Sequence, residues 1–280
     1  MCLIWGTTYL AIRIALDTIP PAMVGAIRYT IAGATLALVL RARGEELPPR
    51  RYWGGLLLTA ALMIGLGNGG VIWAERWVPS GIAALMVAST PFWMTGLEAM
   101  LPGGEPLSLR VVAGLLGGFS GILLLAFPDI FAGGASGREF AVGVLALQVA
   151  CVGWAAGSSY SRRHARNENA LGAAALQMLF GGLLMLVIAT MRGEWASLVF
   201  TRKTLAAEMY LTFVGSLAGY PAYVYALKYL PISTVGLYAY INPVVAVLLG
   251  ALVLDEPLNS RIALASAIVF LGVGLARRTQ

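Results

Sequence analysis

The sequence has 280 residues, of which 59% are hydrophobic and 11% are charged, and its formal net charge is +6. Soluble domains carry about 25% charged residues because their surfaces face water. The composition therefore excludes a water-soluble globular domain and indicates an integral membrane protein, with a mean hydropathy of +0.81. The charges lie in short connections between apolar segments, so we expect membrane lipid as a partner and no nucleic acid.

Ten apolar segments of membrane-spanning length follow one another along the chain. The connections between them are short and mostly carry charge, proline or glycine. The sequence therefore predicts an all-α integral membrane protein with ten transmembrane helices. The predicted spans are residues 2–18, 22–40, 53–74, 80–101, 108–127, 140–161, 170–191, 207–228, 232–254 and 260–277.

Lysine and arginine are biased toward one set of connections. With the N-terminus in the cytoplasm, eleven of these residues fall in cytoplasmic connections and six in outer ones. Because cytoplasmic loops carry an excess of Lys and Arg, we expect both termini in the cytoplasm of a bacterial cell. The protein is then a multi-pass protein of the inner membrane.

Short motifs recur along the chain at an offset of 151 or 152 positions. The matched motifs are Gly6–Tyr9 with Gly157–Tyr160, Pro79 with Pro231, Pro91 with Pro243, and Glu105 with Glu256. They predict two five-helix repeats, at residues 1–128 and 139–278. Because five is odd, the second repeat must enter the membrane in the opposite sense. Inverted repeats of this kind are typical of secondary transporters.

Each repeat has a proline inside its fourth span, at Pro91 and Pro243. A proline bends its helix and cannot donate the usual helical hydrogen bond. A carbonyl freed in this way needs a partner or a water-filled cavity. The preceding residues, Thr90 and Asn242, are polar. We therefore predict two kinked helices lining a central cavity; the alternative is a packing kink that a neighbouring helix covers.

Equivalent positions in the third span of each repeat hold Asn68 and Tyr220, within glycine-rich stretches. Glycine lets helices approach closely in membranes. The amide of Asn68 needs a partner, so Asn68 either lines the cavity or makes a hydrogen bond between helices.

The first span of each repeat carries aromatic and hydroxyl side chains, at Trp5, Thr8, Tyr9, Trp154 and Ser158. Aromatic residues also form belts at the membrane interface, which is the alternative here. Met86, Trp93 and Tyr238 lie about one turn from the polar residues before the two prolines. Of these, Trp93 and Tyr238 are too deep in their spans for an interfacial belt.

Together these side chains predict an amphipathic, uncharged chamber, which suits a ligand with an apolar body and a few polar groups. The candidate substrate-binding residues are Trp5, Thr8, Tyr9, Asn68, Met86, Thr90, Trp93, Trp154, Ser158, Tyr220, Tyr238 and Asn242, with Pro91 and Pro243 as the helix kinks.

Charged side chains within or near the predicted spans are few. Arg13 and Arg28 are placed to reach the outer surface by snorkelling. Glu75 falls in a connection, and Glu98 lies near the cytoplasmic end of its span. A simple carboxylate-based proton relay at the midplane is not expected.

The sequence lacks the motifs of metal-dependent and nucleotide-dependent enzymes. It has no His-Glu-x-x-His motif, no Walker loop and no pair of aspartates within a span. Its single histidine, His164, falls in a basic loop. We expect no enzymatic activity, no cofactor and no metal site.

The motifs resemble the EamA-type repeat of the drug/metabolite transporter superfamily, in its ten-helix branch. The resemblance covers essentially the whole chain, and its residues are Trp5–Tyr9, Arg28–Tyr29, Pro79, Pro91, Glu105, Gly117–Gly121, Trp154, Pro231, Pro243, Glu256 and Gly274. It implies a transporter of small metabolites, often an exporter, with its substrate in a central cavity between the two halves.

Within the family, the sequence is most similar to bacterial exporters of the YddG type, which favour aromatic amino acids. Two alternatives stay open. One is a transporter of another metabolite class, such as drugs or sugar phosphates. A sugar phosphate would call for cationic cavity residues, whereas the basic residues here are expected at the periphery. The other is a non-transporting membrane scaffold or receptor.

Overall fold

The computed structural model describes residues 2–102, 109–131, 134–164, 169–230, 235, 238–256 and 258–276. The secondary structure in these ranges is helical, which confirms the predicted all-α fold with ten helical segments. The recurring motif residues Glu105 and Pro231 lie outside the described residues.

Seven of the ten segments are uninterrupted α-helices. These are α1 (Cys2–Ala15), α2 (Pro21–Ala42), α5 (Leu109–Phe131), α6 (Gly134–His164), α7 (Ala170–Met191), α9 (Tyr238–Leu254) and α10 (Ser260–Ala276).

The other three segments change their helical geometry part-way. Segment α3 consists of Trp53–Ala60, a π-helix at Ala61–Asn68, and Gly69–Ala74. Segment α4 consists of Ser80–Val87 and Thr90–Met100. Segment α8 consists of Arg202–Tyr210, a π-helix at Leu211–Ala218, and Gly219–Tyr229.

Five segments among the described residues are long and apolar enough to cross a membrane: Pro21–Ala42, Arg50–Ala74, Ser80–Met100, Gly137–His164 and Ala170–Met191. Shorter apolar helices occur at Leu3–Ala15, Val112–Leu124, Ile241–Leu254 and Ser260–Gly272. Length and hydropathy thus support a membrane setting in both halves of the chain.

Local sequence signals explain several helix boundaries. Helix α2 starts at Pro21, where proline's fixed φ suits the first helical position. The Asn169 side chain caps α7 by accepting hydrogen bonds from the amides of Leu171 (3.1 Å) and Gly172 (3.4 Å). Thr201 and Thr204 form a reciprocal capping box at the start of α8.

The two π-helices occupy equivalent places in the two repeats, at residues 61–68 and 211–218. A π-helix turn widens the helix and shifts the direction in which later side chains point, and such turns are frequent at functional sites. The first π-helix ends at Asn68, and the second ends two residues before Tyr220.

The two mid-span prolines have different effects on their helices. Segment α4 is interrupted at Ala88 and Ser89, just before Pro91. Helix α9 instead runs from Tyr238 to Leu254 with Pro243 inside it. The break that accompanies the first proline therefore has no counterpart in the described residues around the second.

Equivalent helices of the two repeats pack closely against each other, with α2 on α7 and α5 on α10. Small residues allow this approach. A Cβ atom added at Gly33 would lie 2.8 Å from the Ala175 carbonyl oxygen, and one added at Gly182 would lie 2.8 Å from the Tyr29 carbonyl carbon. The two halves of the chain are thus joined by direct packing of helix against helix.

Candidate functional site

A cavity that is partly open to the exterior lies between the two halves, and its empty volume is about 590 Å³ when the open space at its mouth is included. Helices α1, α2, α3 and α4 line it from the first half, and α6 and α9 from the second. Its lining residues are Trp5, Thr8, Tyr9, Ile12, Arg28, Tyr29, Gly67, Asn68, Val71, Val87, Thr90, Ala150, Cys151, Trp154, Tyr238 and Asn242.

Eight of the twelve residues proposed from the sequence meet at this cavity: Trp5, Thr8, Tyr9, Asn68, Thr90, Trp154, Tyr238 and Asn242. They come from five helices and from both repeats. Whether they contact a substrate stays a prediction, but their convergence on one space is a property of the fold.

Two of the remaining four residues, Met86 and Trp93, do not line the cavity. Met86 and Thr90 are four residues apart, a spacing that would put them on one face of a continuous helix. The break at Ala88 and Ser89 separates them, and Met86 is instead fully buried in the core. Trp93 donates to Gln148 Oε1 at 3.1 Å and packs edge-on against Phe119.

The other two residues lie behind the cavity wall. Ser158 Oγ lies 2.9 Å from the Tyr223 hydroxyl, which also accepts a 2.9 Å hydrogen bond from Trp154 Nε1. Tyr220 is 1% exposed and donates to Gln177 Oε1 at 3.0 Å. Ser158 therefore supports Trp154 through Tyr223, and Tyr220 joins α8 to α7.

One wall of the cavity is an aromatic cluster. The Trp5 ring lies 5.5 Å from Trp154, 5.1 Å from Tyr223 and 5.3 Å from Tyr238, measured between ring centroids. Trp5 Nε1 also donates to the Gly215 carbonyl at 3.2 Å. These rings pack against one another inside the protein, so they do not form an interfacial belt.

Uncharged polar groups lie beside this wall. Thr90 Oγ1 donates to the Val87 carbonyl at 2.7 Å and keeps its acceptor lone pairs. Thr8 Oγ1 likewise donates to the Trp5 backbone carbonyl at 2.7 Å. The Asn68 amide makes only a long contact, 3.5 Å, with the Met63 carbonyl in the π-helix of its own segment. This contact lies within one segment and joins no second helix.

Arg28 is the residue that sequence reasoning misplaced. It does not reach the surface: it is 2% exposed and lines the cavity. Its Nε donates to Ser216 Oγ at 2.8 Å, and its guanidinium lies 4.7 Å from the Tyr29 ring centroid. The sequence signal was an arginine one-third of the way into a 22-residue apolar helix, a position that indicates function in a membrane protein.

Contacts at the two ends of α4 tie the halves together. At its carboxyl end, Glu98 pairs with Arg163 of α6 at 2.7 Å and accepts a hydrogen bond from Ser159. At its amino end, the Glu256 carboxylate accepts hydrogen bonds from Ser80 and Gly81. The cavity residue Thr90 lies between these two attachments.

Two buried carboxylates, Glu75 and Glu208, have no hydrogen-bond partner for either oxygen. Glu75 lies in the connection between α3 and α4, and burial raises the pKa of its carboxyl well above the usual value. Arg13 donates to the backbone carbonyls of Glu75 and Arg76, rather than to the Glu75 carboxylate. Among the described residues, no group of three or more His, Cys, Asp or Glu side chains could hold a metal ion.

The EamA-like transporter family matches residues 1–127 and 141–278. The chain belongs to the EamA-like transporter family. It is therefore a membrane transporter and not an enzyme, and it carries a small-molecule substrate.

Named relatives and a solved structure resemble this EamA-like transporter along most of its length. The uncharacterized inner membrane transporter YedA of Escherichia coli K12 is 34% identical, over 98% of this chain and 87% of its own. Protein PecM of Dickeya dadantii is 28% identical, over 91% and 82% of the two chains. A crystal structure of a protein 24% identical in sequence superposes with a TM-score of 0.73, over 98% of this chain and 93% of that one, which shows the same fold.

Proposed function

We propose that this transporter exports amino acids, preferably aromatic ones, by alternating access. The supporting observation is the cavity between the halves, which combines an aromatic wall with uncharged polar side chains and one buried guanidinium. An aromatic ring of the substrate would pack against Trp5, Trp154 and Tyr238. Thr90, Asn68 and Asn242 would take its polar groups.

Alternating access is supported by the position of the cavity. Walls from both halves enclose it, so a rotation of one half against the other would change its exposure. We take residues 1–128 and 139–278 as the two moving repeats. The contacts of Glu98 and Glu256 at opposite ends of α4 would then form and break in the course of the cycle.

The proposed setting is a bacterial inner membrane. The relative YedA is named as an inner membrane transporter. The bias of Lys and Arg in this sequence supports a cytoplasmic location for both termini. The likeness to YddG-type aromatic amino acid exporters belongs to the same proposal.

The main alternative is transport of another metabolite class. Arg28 in the cavity wall removes part of the earlier objection to an anionic substrate such as a sugar phosphate. However, no other Lys or Arg is among the cavity residues that the structure describes. A phosphate group carries nearly two negative charges and usually binds to several donors, so a single guanidinium favours a carboxylate. A second alternative is a non-transporting scaffold or receptor. Membership in a transporter family argues against it.

Transport by purified protein in liposomes tests the proposal. We expect saturable uptake of labelled phenylalanine, inhibited by tryptophan and tyrosine and not by glucose 6-phosphate or a cationic drug. Measurements with and without an imposed pH gradient would show whether uptake is coupled to protons. Protein-dependent flux of the sugar phosphate or the drug, with none of the amino acids, would refute the proposed substrate class.

A matched pair of tryptophan variants links the flux to the cavity. Trp154→Ala removes part of the aromatic wall, whereas Trp195→Ala changes a tryptophan that is 55% exposed and does not line the cavity. We expect loss of uptake in the first variant only. Equal activity of the two proteins would show that transport does not use this aromatic wall.

A further inference from the structure

Arg28 is a buried cation whose guanidinium is incompletely paired. Its side chain is 2% exposed, and Nη1 is buried without a hydrogen-bond partner. Nε is fixed by Ser216 Oγ at 2.8 Å. Arg28 thus lines the cavity with Nε fixed and Nη1 unpaired.

Among the residues that the structure describes, no carboxylate forms an ion pair with this guanidinium. The ion pairs in the part of the chain that the structure describes are Glu98–Arg163, Arg192–Glu194 and Asp17–Lys203. Glu208 and Glu75 both interact electrostatically with Arg28, but neither is among these ion pairs, and the oxygens of both are buried without a hydrogen-bond partner. A buried charge without a partner is unfavourable, so a ligand that supplies the opposite charge gains affinity.

We propose that Arg28 binds the carboxylate of the transported substrate and makes the cavity selective for monocarboxylates. This inference rests on the proposed transport function and deepens it. Guanidinium presents planar donors that match the two oxygens of a carboxylate. Ser216 holds Nε and thereby directs the remaining donors, and the Tyr29 ring lies against the guanidinium at 4.7 Å.

The remaining lining of the cavity fits the rest of such a ligand. The aromatic wall around Trp5 and Tyr238 offers an apolar surface, and the faces of these rings also attract a cation such as an ammonium group. Arg28 is the charged side chain among the cavity residues that the structure describes, so discrimination between a carboxylate and its neutral amide falls to it.

Binding of four related ligands to the purified protein tests this role. The ligands are phenylalanine, phenylacetate, phenylalaninamide and phenethylamine, of which only the first two carry a carboxylate. Affinities come from ligand-induced shifts in the thermal midpoint of the full-length protein in detergent. We expect the wild-type protein to bind the carboxylates about 10- to 100-fold more tightly than the other two, as a charge-assisted hydrogen bond predicts.

Two arginine variants separate the ligand role from a general effect of charge. Arg28→Gln should abolish the preference for carboxylates while leaving the affinity for phenylalaninamide nearly unchanged, and Arg28→Lys should retain part of the preference. Arg76→Gln removes an arginine of the α3–α4 connection that does not line the cavity, and it should behave as wild type. If Arg28→Gln does not fold, Ser216→Ala keeps the charge, frees Nε, and should reduce the preference several-fold.

Glu208 provides the competing explanation, a structural charge pair only. In that case Arg28→Gln and Glu208→Gln would both destabilise the protein, and the double variant would recover. If Arg28 serves the ligand, Glu208→Gln should retain the preference for carboxylates. The inference is overturned if the preference survives in Arg28→Gln, or if the wild-type protein binds no carboxylate.

The same panel distinguishes this inference from the proposed function. Binding of phenylacetate that depends on Arg28, without binding of phenylalanine, would keep Arg28 as a carboxylate site and reject amino acids as the substrate. Binding of phenylalanine and its amide with equal affinity would keep amino acids as the substrate and reject Arg28 as a carboxylate site.

Discussion

Glu256 and Ser80 are 176 positions apart in the sequence, yet Glu256 Oε1 accepts hydrogen bonds from both the amide and the hydroxyl of Ser80, each at 2.8 Å. The other oxygen accepts from the Gly81 amide at 3.0 Å. A carboxylate from the second half thus caps the amino end of α4 in the first half. The negative charge of the Glu256 carboxylate is favourable at this helix amino terminus, where the helix dipole is positive.

We expect Glu256→Gln to lower the free energy of unfolding by about 1–2 kcal/mol, because the amide keeps one acceptor and loses the charge. Thermal unfolding in detergent measures this change. Glu139→Gln is the matched control, since Glu139 is exposed on α6. Equal midpoints for the two variants would show that the cap contributes no stability.

The duplication made the cavity partly predictable from sequence. Trp5 and Trp154 could be identified because the first span of each repeat carries a tryptophan, and Tyr238 because it lies one helical turn before Asn242. The fold class followed from the length and number of the apolar segments. These properties are local to each helix, so one sequence is enough to see them.

Other features depend on tertiary packing that helical spacing does not encode. The burial of Arg28 follows from its contact with Ser216, which is 188 positions away. Helical spacing places Met86 on the face of Thr90 only if a regular helix continues through Ala88 and Ser89, where the helix is interrupted. Trp93 bonds Gln148 of α6, a contact between helices that the spacing does not encode. The sequence contained Pro91 as a signal of this break, but not the resulting change of direction.

The Thr90 hydroxyl can be tested by an isosteric substitution with a control in the same segment. Thr90→Val removes a hydroxyl at the cavity, and Thr95→Val removes one that donates to the Pro91 carbonyl at 2.8 Å and does not line the cavity. If Thr90 bonds the substrate, its variant should lose about tenfold in transport efficiency, the equivalent of one hydrogen bond. The Thr95 variant should transport normally.

Asn242 is expected to act with Thr90 from the opposite half. It is 3% exposed and lines the cavity. Asn242→Ala should reduce transport at unchanged expression, because it removes an amide that can donate and accept. Initial rates in liposomes provide the measurement. Undiminished flux in both Thr90→Val and Asn242→Ala would remove these two positions from the substrate site.

Cys151 provides a native probe of access to the cavity. It lines the cavity but is 2% exposed, so labelling requires the cavity to open further. In a Cys2→Ser background, a water-soluble thiosulfonate should label Cys151 slowly, and bound substrate should protect it. Labelling that ignores substrate would mean that the reagent enters by another route.

The Glu98–Arg163 pair should control the rate of this labelling, because it holds α4 against α6. Glu98→Gln should accelerate modification of Cys151 about fivefold, if the partly exposed pair contributes about 1 kcal/mol. Lys203→Gln breaks the exposed pair with Asp17 and serves as the control. Equal acceleration in both variants would indicate general loosening of the protein rather than release of α4.

The contact between α2 and α7 should tolerate no added carbon atom at Gly182. A Cβ there would lie 2.5 Å from Thr30 Oγ1 and 2.8 Å from the Tyr29 carbonyl carbon, so the α2 backbone next to Arg28 must move. We expect Gly182→Ala to destabilise the protein by about 1–3 kcal/mol. Because Arg28 would be displaced with the helix, affinity for carboxylate ligands should fall as well.

Gly96→Ala is the control for this substitution. A Cβ at Gly96, on α4, would meet no atom within 4 Å, and alanine has the higher helix propensity. Its thermal midpoint should stay equal or rise. If Gly182→Ala were as stable as Gly96→Ala, the helices would have room to separate, and close packing of α2 on α7 could not be what positions Arg28.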